Sequence, residues 1–229
     1  SELQRKLYSQ LVTELQAMYR NYDNSNREYF NILSGLTKLR QLTDHPCLID
    51  KDLRNSIDLS GKLETMVEII TELLEGNRKI LIFSQFLEIL SILRKHFDKQ
   101  KYQYEYLDGN TQNRKETVDN FNHNDNIRLF LVSLKVGGIG LNLTAADTVI
   151  LTEPWWNPTW EMQAVDRVYR IGQKKKVISF RMITKDSIEE KIFLLQQKKR
   201  KLFTDILDAD KTKRSITKEE IGQLLGLLV

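Results

Sequence analysis

Residues 127–151 read IRLFLVSLKVGGIGLNLTAADTVIL. Two short apolar runs, 127–132 and 147–151, bracket a glycine-rich turn, and neither alternates apolar with polar residues as a half-solvated strand would. Predominantly apolar runs of this length fit strands buried on both faces, which is the signature of a parallel sheet. Working outward, KILIF (79–83), YEYL (104–107) and VISFRMI (177–183) have the same character, and helix-period stretches lie around them at 61–75, 86–99, 112–122 and 159–170. Strands alternating with helices at this spacing predict an α/β fold, a parallel sheet with crossover helices on both faces.

The flanks are helical in period. Segments 1–20 and 27–43 read as helices, the first with Leu3, Leu7, Leu11, Leu15 and Met18 at steps of three and four, joined by the polar turn NYDNSN. Pro46 should end the second near His45. Beyond Lys185, Ile188, Ile192, Leu195, Leu202 and Ile206 form a stripe in a long basic helix, and Thr217-Lys-Glu-Glu220 is a capping box opening a last helix near 217–227.

Composition narrows the class. The 229 residues are 41% hydrophobic and 29% charged with only 3 Pro, the profile of a folded globular chain. One Cys precludes an intrachain disulfide and favours a reducing compartment; no uncharged stretch approaches a membrane span, so a soluble intracellular protein is expected. The net charge of +4 conceals a patch: residues 162–201 hold twelve Lys and Arg against four Asp and Glu, clustered at Lys174–Lys176 and Lys198–Lys201. Such clustering suits phosphate-backbone binding, although Lys-rich helix faces are also simply solvated.

Ligands of an open parallel sheet belong at the carboxyl ends of its strands. There the sequence places Ser84-Gln85, Asp108-Gly-Asn110-Thr111, Ser133-Leu-Lys135 with Gly137 and Gly138, and Glu153-Pro-Trp155-Trp156. Small and hydroxyl-bearing residues let backbone N–H groups approach phosphate oxygens, though each one singly is ordinary in a turn. Other chemistries fail on spacing. Leu143 stands where a dinucleotide fingerprint needs its third glycine, Leu63 follows Gly61-Lys62 where a phosphate loop needs a hydroxyl, and His45 with Cys47 is too small a set for zinc. In QAVDRVYRIGQ (163–173), Gln163, Arg167 and Arg170 at i, i+4 and i+7 share one helix face. Two guanidiniums there could grip a triphosphate; the competing reading is an Asp166–Arg170 helix pair.

Together these segments resemble the C-terminal RecA-like lobe of the Snf2 family of superfamily 2 helicase-like ATPases, DNA translocases that include chromatin remodellers. KILIFSQF is similar to the family's motif IV, YLDGNT to motif IVa, FLVSLKVGGIGLNLTAADTVILTEPWWNP to motif V with its WNP element, and QAVDRVYRIGQ to motif VI. Val136, and Thr43-Asp44, depart from residues common in relatives. The resemblance implies a helical element over 1–59, a RecA-like lobe over 60–184 and bracing helices over 185–229, with the first lobe and its phosphate loop absent from this chain. It implies a DNA-stimulated ATPase in which ATP with Mg2+ is held mostly by that first lobe, so the chain alone is expected to be inactive. Arg167 and Arg170 would be arginine fingers; Gln163, Asp166 and Gly138 would lie at the nucleotide. Double-stranded DNA would run past Lys62, Ser84, Gln85, Asn110, Thr111, Arg114, Ser133, Lys135, Trp155 and Trp156, with either tryptophan alternatively a core anchor. The expected partners are that DNA and the N-terminal lobe, around a monomer, in the cytoplasm or nucleoid of a prokaryote or the nucleus of a eukaryote. Two other readings stay open: a nucleic-acid-binding module without nucleotide chemistry, and a small-molecule enzyme on a doubly wound sheet.

Overall fold

The computed structural model describes residues 1–23, 25–53, 56–137, 142–156, 161, 162, 166, 168, 175–205 and 216–228. All five apolar runs are strands: β1 (Ile80–Ser84), β2 (Tyr104–Leu107), β3 (Leu129–Ser133), β4 (Thr148–Leu151) and β5 (Ile178–Arg181). They form one sheet in the order β2-β3-β1-β4-β5, every neighbour parallel. The α/β, RecA-like expectation is met.

Side-chain alternation divides the sheet between two cores. Ile80, Ile82, Leu129, Leu131 and Ile150 face α3 (Gly61–Glu75) and α4 (Leu87–Gln100), whose Met66, Ile70, Leu90 and Phe97 are buried against them. Leu81, Phe83, Phe130, Val132, Val149 and Leu151 point to the other face, where Val118 and Phe121 of α5 (Arg114–His123) and the buried Val168 cover them. The connection from β1 runs over one face through α4 to the edge strand β2, and the chain returns over the other face through α5 to β3. Connections leaving over opposite faces are the arrangement that presents the carboxyl ends of β1 and its neighbours to a ligand; the short helix α6 (Leu134–Gly137) follows β3 there.

A third cluster joins the two ends of the chain. Leu15 of α1 (Glu2–Arg20) and Ile32, Leu36 and Leu39 of α2 (Asn26–Asp44) pack with Ile188 and Ile192 of α7 (Ile188–Asp205) and Ile221, Leu224 and Leu225 of α8 (Lys218–Leu225). Pro46 ends α2 as predicted, with His45 extended, and the Thr217–Glu220 capping box opens α8. The α1 stripe differs at its end: Met18 is exposed, and Tyr19 packs inward instead, its hydroxyl donating to the Lys218 carbonyl at 3.1 Å. Among the described residues no helix is long and apolar enough to cross a membrane.

Candidate functional site

Three of the predicted strand-end segments lie side by side at the carboxyl edge, since Leu107 pairs with Val132 and Ser84 with Ser133. The segment after β2 is closed by its own hydrogen bonds. Asp108 Oδ1 accepts from the Asn110 N–H (2.9 Å) and Thr111 Oγ1 (3.2 Å), and its Oδ2 accepts from the Tyr106 hydroxyl (3.0 Å). Burial opposes ionisation of Asp108, but these donors outweigh it and hold the carboxyl below its ordinary value; burial and the facing carboxylate push Tyr106 up to about 12. Arg114 donates to the carbonyls of Thr111 (3.2 Å) and Gly109 (3.1 Å), so the loop is braced before any ligand arrives. Asn110 and Lys135 are exposed on this edge.

The segment after β4 is held from outside. Glu153 is buried, and its carboxylate accepts from Ser84 Oγ (3.1 Å), the Gln85 N–H (2.5 Å) and Thr152 Oγ1. Arg40, buried in α2, donates to the Pro154 carbonyl at 2.8 Å and to Gln85 Oε1 at 3.2 Å. Its guanidinium carbon lies 5.8, 5.9 and 5.2 Å from the ring centres of Phe86, Trp155 and Trp156, so both tryptophans pack on a cation. Burial lowers the Arg40 pKa, and nearby carboxylates, Glu153 first, oppose that shift. Trp155 also donates its N–H to Glu161 (2.8 Å), which accepts from Gln196 Nε2 (2.8 Å) and pairs with Arg181 (2.5 Å).

Lys62, which the resemblance places near DNA, instead has its ammonium buried between Asp44 (2.6 Å) and Glu189 (2.5 Å), leaving it no face toward a phosphate. Burial alone would lower its pKa, yet the two carboxylates raise it; burial and the surrounding acids push Asp44 well above the ordinary carboxyl range. Ser84 and Ser133 sit at the predicted edge but are themselves buried, Ser84 with its hydroxyl committed to Glu153. Asp166 is exposed and helical, while Gly138, Gln163, Arg167, Arg170 and Lys174 lie outside the described residues. Sequence reasoning missed Arg40, Glu161, Arg181 and Gln196, and placed Glu153 at a strand end without its role as an acceptor. For Arg40 a signal existed, since it falls four and eight residues after Leu36 and Ile32 on the buried face of α2.

Residues 61–172 match the family model described as the helicase conserved C-terminal domain. Over 96% of its length the chain is 32% identical to the DNA excision repair protein CSB of Oryza sativa subsp. japonica, and it spans 20% of that protein. The Sulfolobus solfataricus SWI2/SNF2 ATPase C-terminal domain superposes with a TM-score of 0.77 at 31% identity, covering 100% of this chain and 95% of that one. The same organism's SWI2/SNF2 ATPase core in complex with dsDNA superposes with a TM-score of 0.80 at 34% identity, covering 100% of this chain and 48% of the core. Matched over 100% of its own length to 95% of a solved C-terminal domain at 31% identity, the chain belongs to the SWI2/SNF2 family of helicase-like ATPases and corresponds to that family's second lobe.

Proposed function

We propose that this lobe completes an ATP site on a first RecA-like lobe and follows the backbone of double-stranded DNA with its carboxyl edge. In this reading Arg167 and Arg170 are arginine fingers, Gln163 and Gly138 lie at the nucleotide, and Asp166 orients an arginine. A guanidinium set against the transferring γ-phosphoryl group offsets charge that develops in the transition state, an effect on the order of 10³–10⁵ in rate. Any Mg2+ accompanying ATP we assign to the first lobe, because Asp44, Glu153, Glu161 and Glu189 are each already engaged by cations or hydrogen-bond donors. Residues 1–59 and 185–229 we read as a helical element and brace attached to a RecA-like unit over 60–184, working as a monomer.

The carrying observation is the pre-braced Asp108–Arg114 loop beside exposed Lys135 at the carboxyl edge of a parallel sheet. Asn110, Thr111 and Lys135 supply neutral and cationic donors of the kind that fix register on phosphates without reading bases. Arg114, Ser84, Gln85, Ser133, Trp155 and Trp156 serve that face by shaping it. The test uses the full-length protein with both lobes. Arg167→Ala and Arg170→Ala should abolish ATP turnover while DNA affinity persists; lost DNA binding with intact turnover would instead favour a nucleic-acid module without nucleotide chemistry.

A further inference from the structure

Glu161 is buried to 2% exposure two residues before Gln163, and the three groups on its carboxylate come from three different elements. Oε1 accepts from the Trp155 N–H at 2.8 Å, in the segment after β4, and from Gln196 Nε2 at 2.8 Å, on α7. Oε2 faces Arg181 at 2.5 Å, at the end of β5. Gln196 also donates to the Trp155 carbonyl, and the Arg181 guanidinium carbon stacks 5.1 Å from the centre of the Phe193 ring on α7. Seven residues on, Val168 is fully buried in the sheet core. Glu161 and Val168 are thus buried points on either side of Gln163, and Val168 directly follows Arg167 in sequence.

We infer that Glu161 is a positioning residue for the arginine pair, and that Gln196 makes the bracing helix α7 part of the same device. A buried carboxylate with two neutral donors on one oxygen and a guanidinium ion pair at the other specifies one placement, whereas an apolar contact would tolerate sliding. Placement matters at this point because an arginine finger acts only when aimed at the developing charge, and a misplacement of about 1 Å can cost on the order of 10²-fold in rate. Nothing in this role requires Glu161 to touch ATP. The inference rests on the proposed role of Arg167 and Arg170.

The experiment compares Glu161→Gln, Glu161→Asp, Gln196→Ala and Arg167→Ala in the full-length protein, measuring DNA-stimulated kcat, KM for ATP and the melting temperature. Glu161→Gln keeps the shape and an acceptor but loses the charge facing Arg181, so kcat should fall by about tenfold or more. KM for ATP should stay within about twofold, as expected when an interaction made only in the transition state is lost. Glu161→Asp should recover part of kcat, and Gln196→Ala should lower kcat several-fold by itself, which keeps the inference testable if Glu161→Gln does not fold. Unchanged kcat in both Glu161→Gln and Gln196→Ala, with Arg167→Ala inactive, would overturn the positioning role alone. An active Arg167→Ala would overturn both it and the reading beneath it.

Discussion

Replacing Lys62 by Met would strip the ammonium from between two buried carboxylates. Lys62, Asp44 and Glu189 have side-chain exposures of 3%, 1% and 0%, so neither acid can turn to water when its cation goes. Glu189 keeps the Thr184 N–H (2.8 Å) as a donor, and Asp44 Oδ2 has no hydrogen-bond partner to fall back on. Breaking a buried ion pair from one side costs about 3–5 kcal/mol. In a domain of this size each kcal/mol lowers Tm by roughly 2–4 °C, so a drop on the order of 10 °C is expected in a thermal melt followed by circular dichroism. Adding Asp44→Asn and Glu189→Gln should restore most of it, because the loss lies in the uncompensated charge rather than in the missing attraction. DNA affinity measured well below the melt should not change. A Lys62→Met protein that melts within about 2 °C of wild type but binds DNA more weakly would refute the buried placement and reinstate the phosphate contact.

Gly35→Ala should destabilise although alanine is the better helix former by about 1 kcal/mol, because a Cβ there overlaps Leu15 Cδ2; overpacking costs about 1–3 kcal/mol, and urea titration of Gly35→Ala with and without Leu15→Ala tests it. His45 accepts the Cys47 N–H on Nδ1 (3.1 Å) and faces the Ser56 carbonyl with Nε2 (2.8 Å), so it is held neutral, and burial lowers its pKa. The unfolded chain takes up that proton first, so the stabilisation is present above about pH 6.5 and shrinks as pH falls toward the lowered folded value. The stability difference between wild type and His45→Gln should therefore narrow between pH 7.5 and pH 5, and a constant difference would refute it. Lys135→Ala in the full-length protein should weaken DNA binding and reduce the salt slope by about one phosphate contact, read by fluorescence anisotropy over a salt series.

The parallel sheet was legible because burial on both faces leaves the inner strands β1, β3 and β4 uniformly apolar or small, while the partly buried edge strands β2 and β5 still read as short apolar runs despite Glu105 and Arg181. Pro46 and the Thr217–Glu220 box marked helix ends through local chemistry alone. Lys62 was misread for the opposite reason. Its partners stand 18 and 127 residues away, and no local pattern distinguishes a lysine paired across that distance from one waiting for a phosphate. Ser84 is a similar case, since the carboxylate that occupies its hydroxyl lies 69 residues on. Arg40 could have been found, because a charge placed on the buried face of an amphipathic helix needs partners wherever it goes.

Two loops on one sheet edge are held in opposite ways, and the difference bears on how the lobe transmits motion. The bonds of Asp108–Arg114 close within the loop and the adjoining strand, so its donors stay aimed whatever the rest of the lobe does. In the segment after β4, consecutive residues are tied to separate elements: Glu153 to β1 and Gln85, Pro154 to Arg40 of α2, Trp155 to Glu161 and to Gln196 of α7. These are buried, largely charge-assisted bonds, and breaking any one strands a polar group in a low-dielectric setting. A shift of α7 or α2 would therefore carry this segment and its two tryptophans along with it, whereas the Asp108–Arg114 loop would keep its internal geometry. Under the proposed function the two would serve different ends, the first keeping its donors fixed toward a phosphate backbone and the second following the helices that tie it.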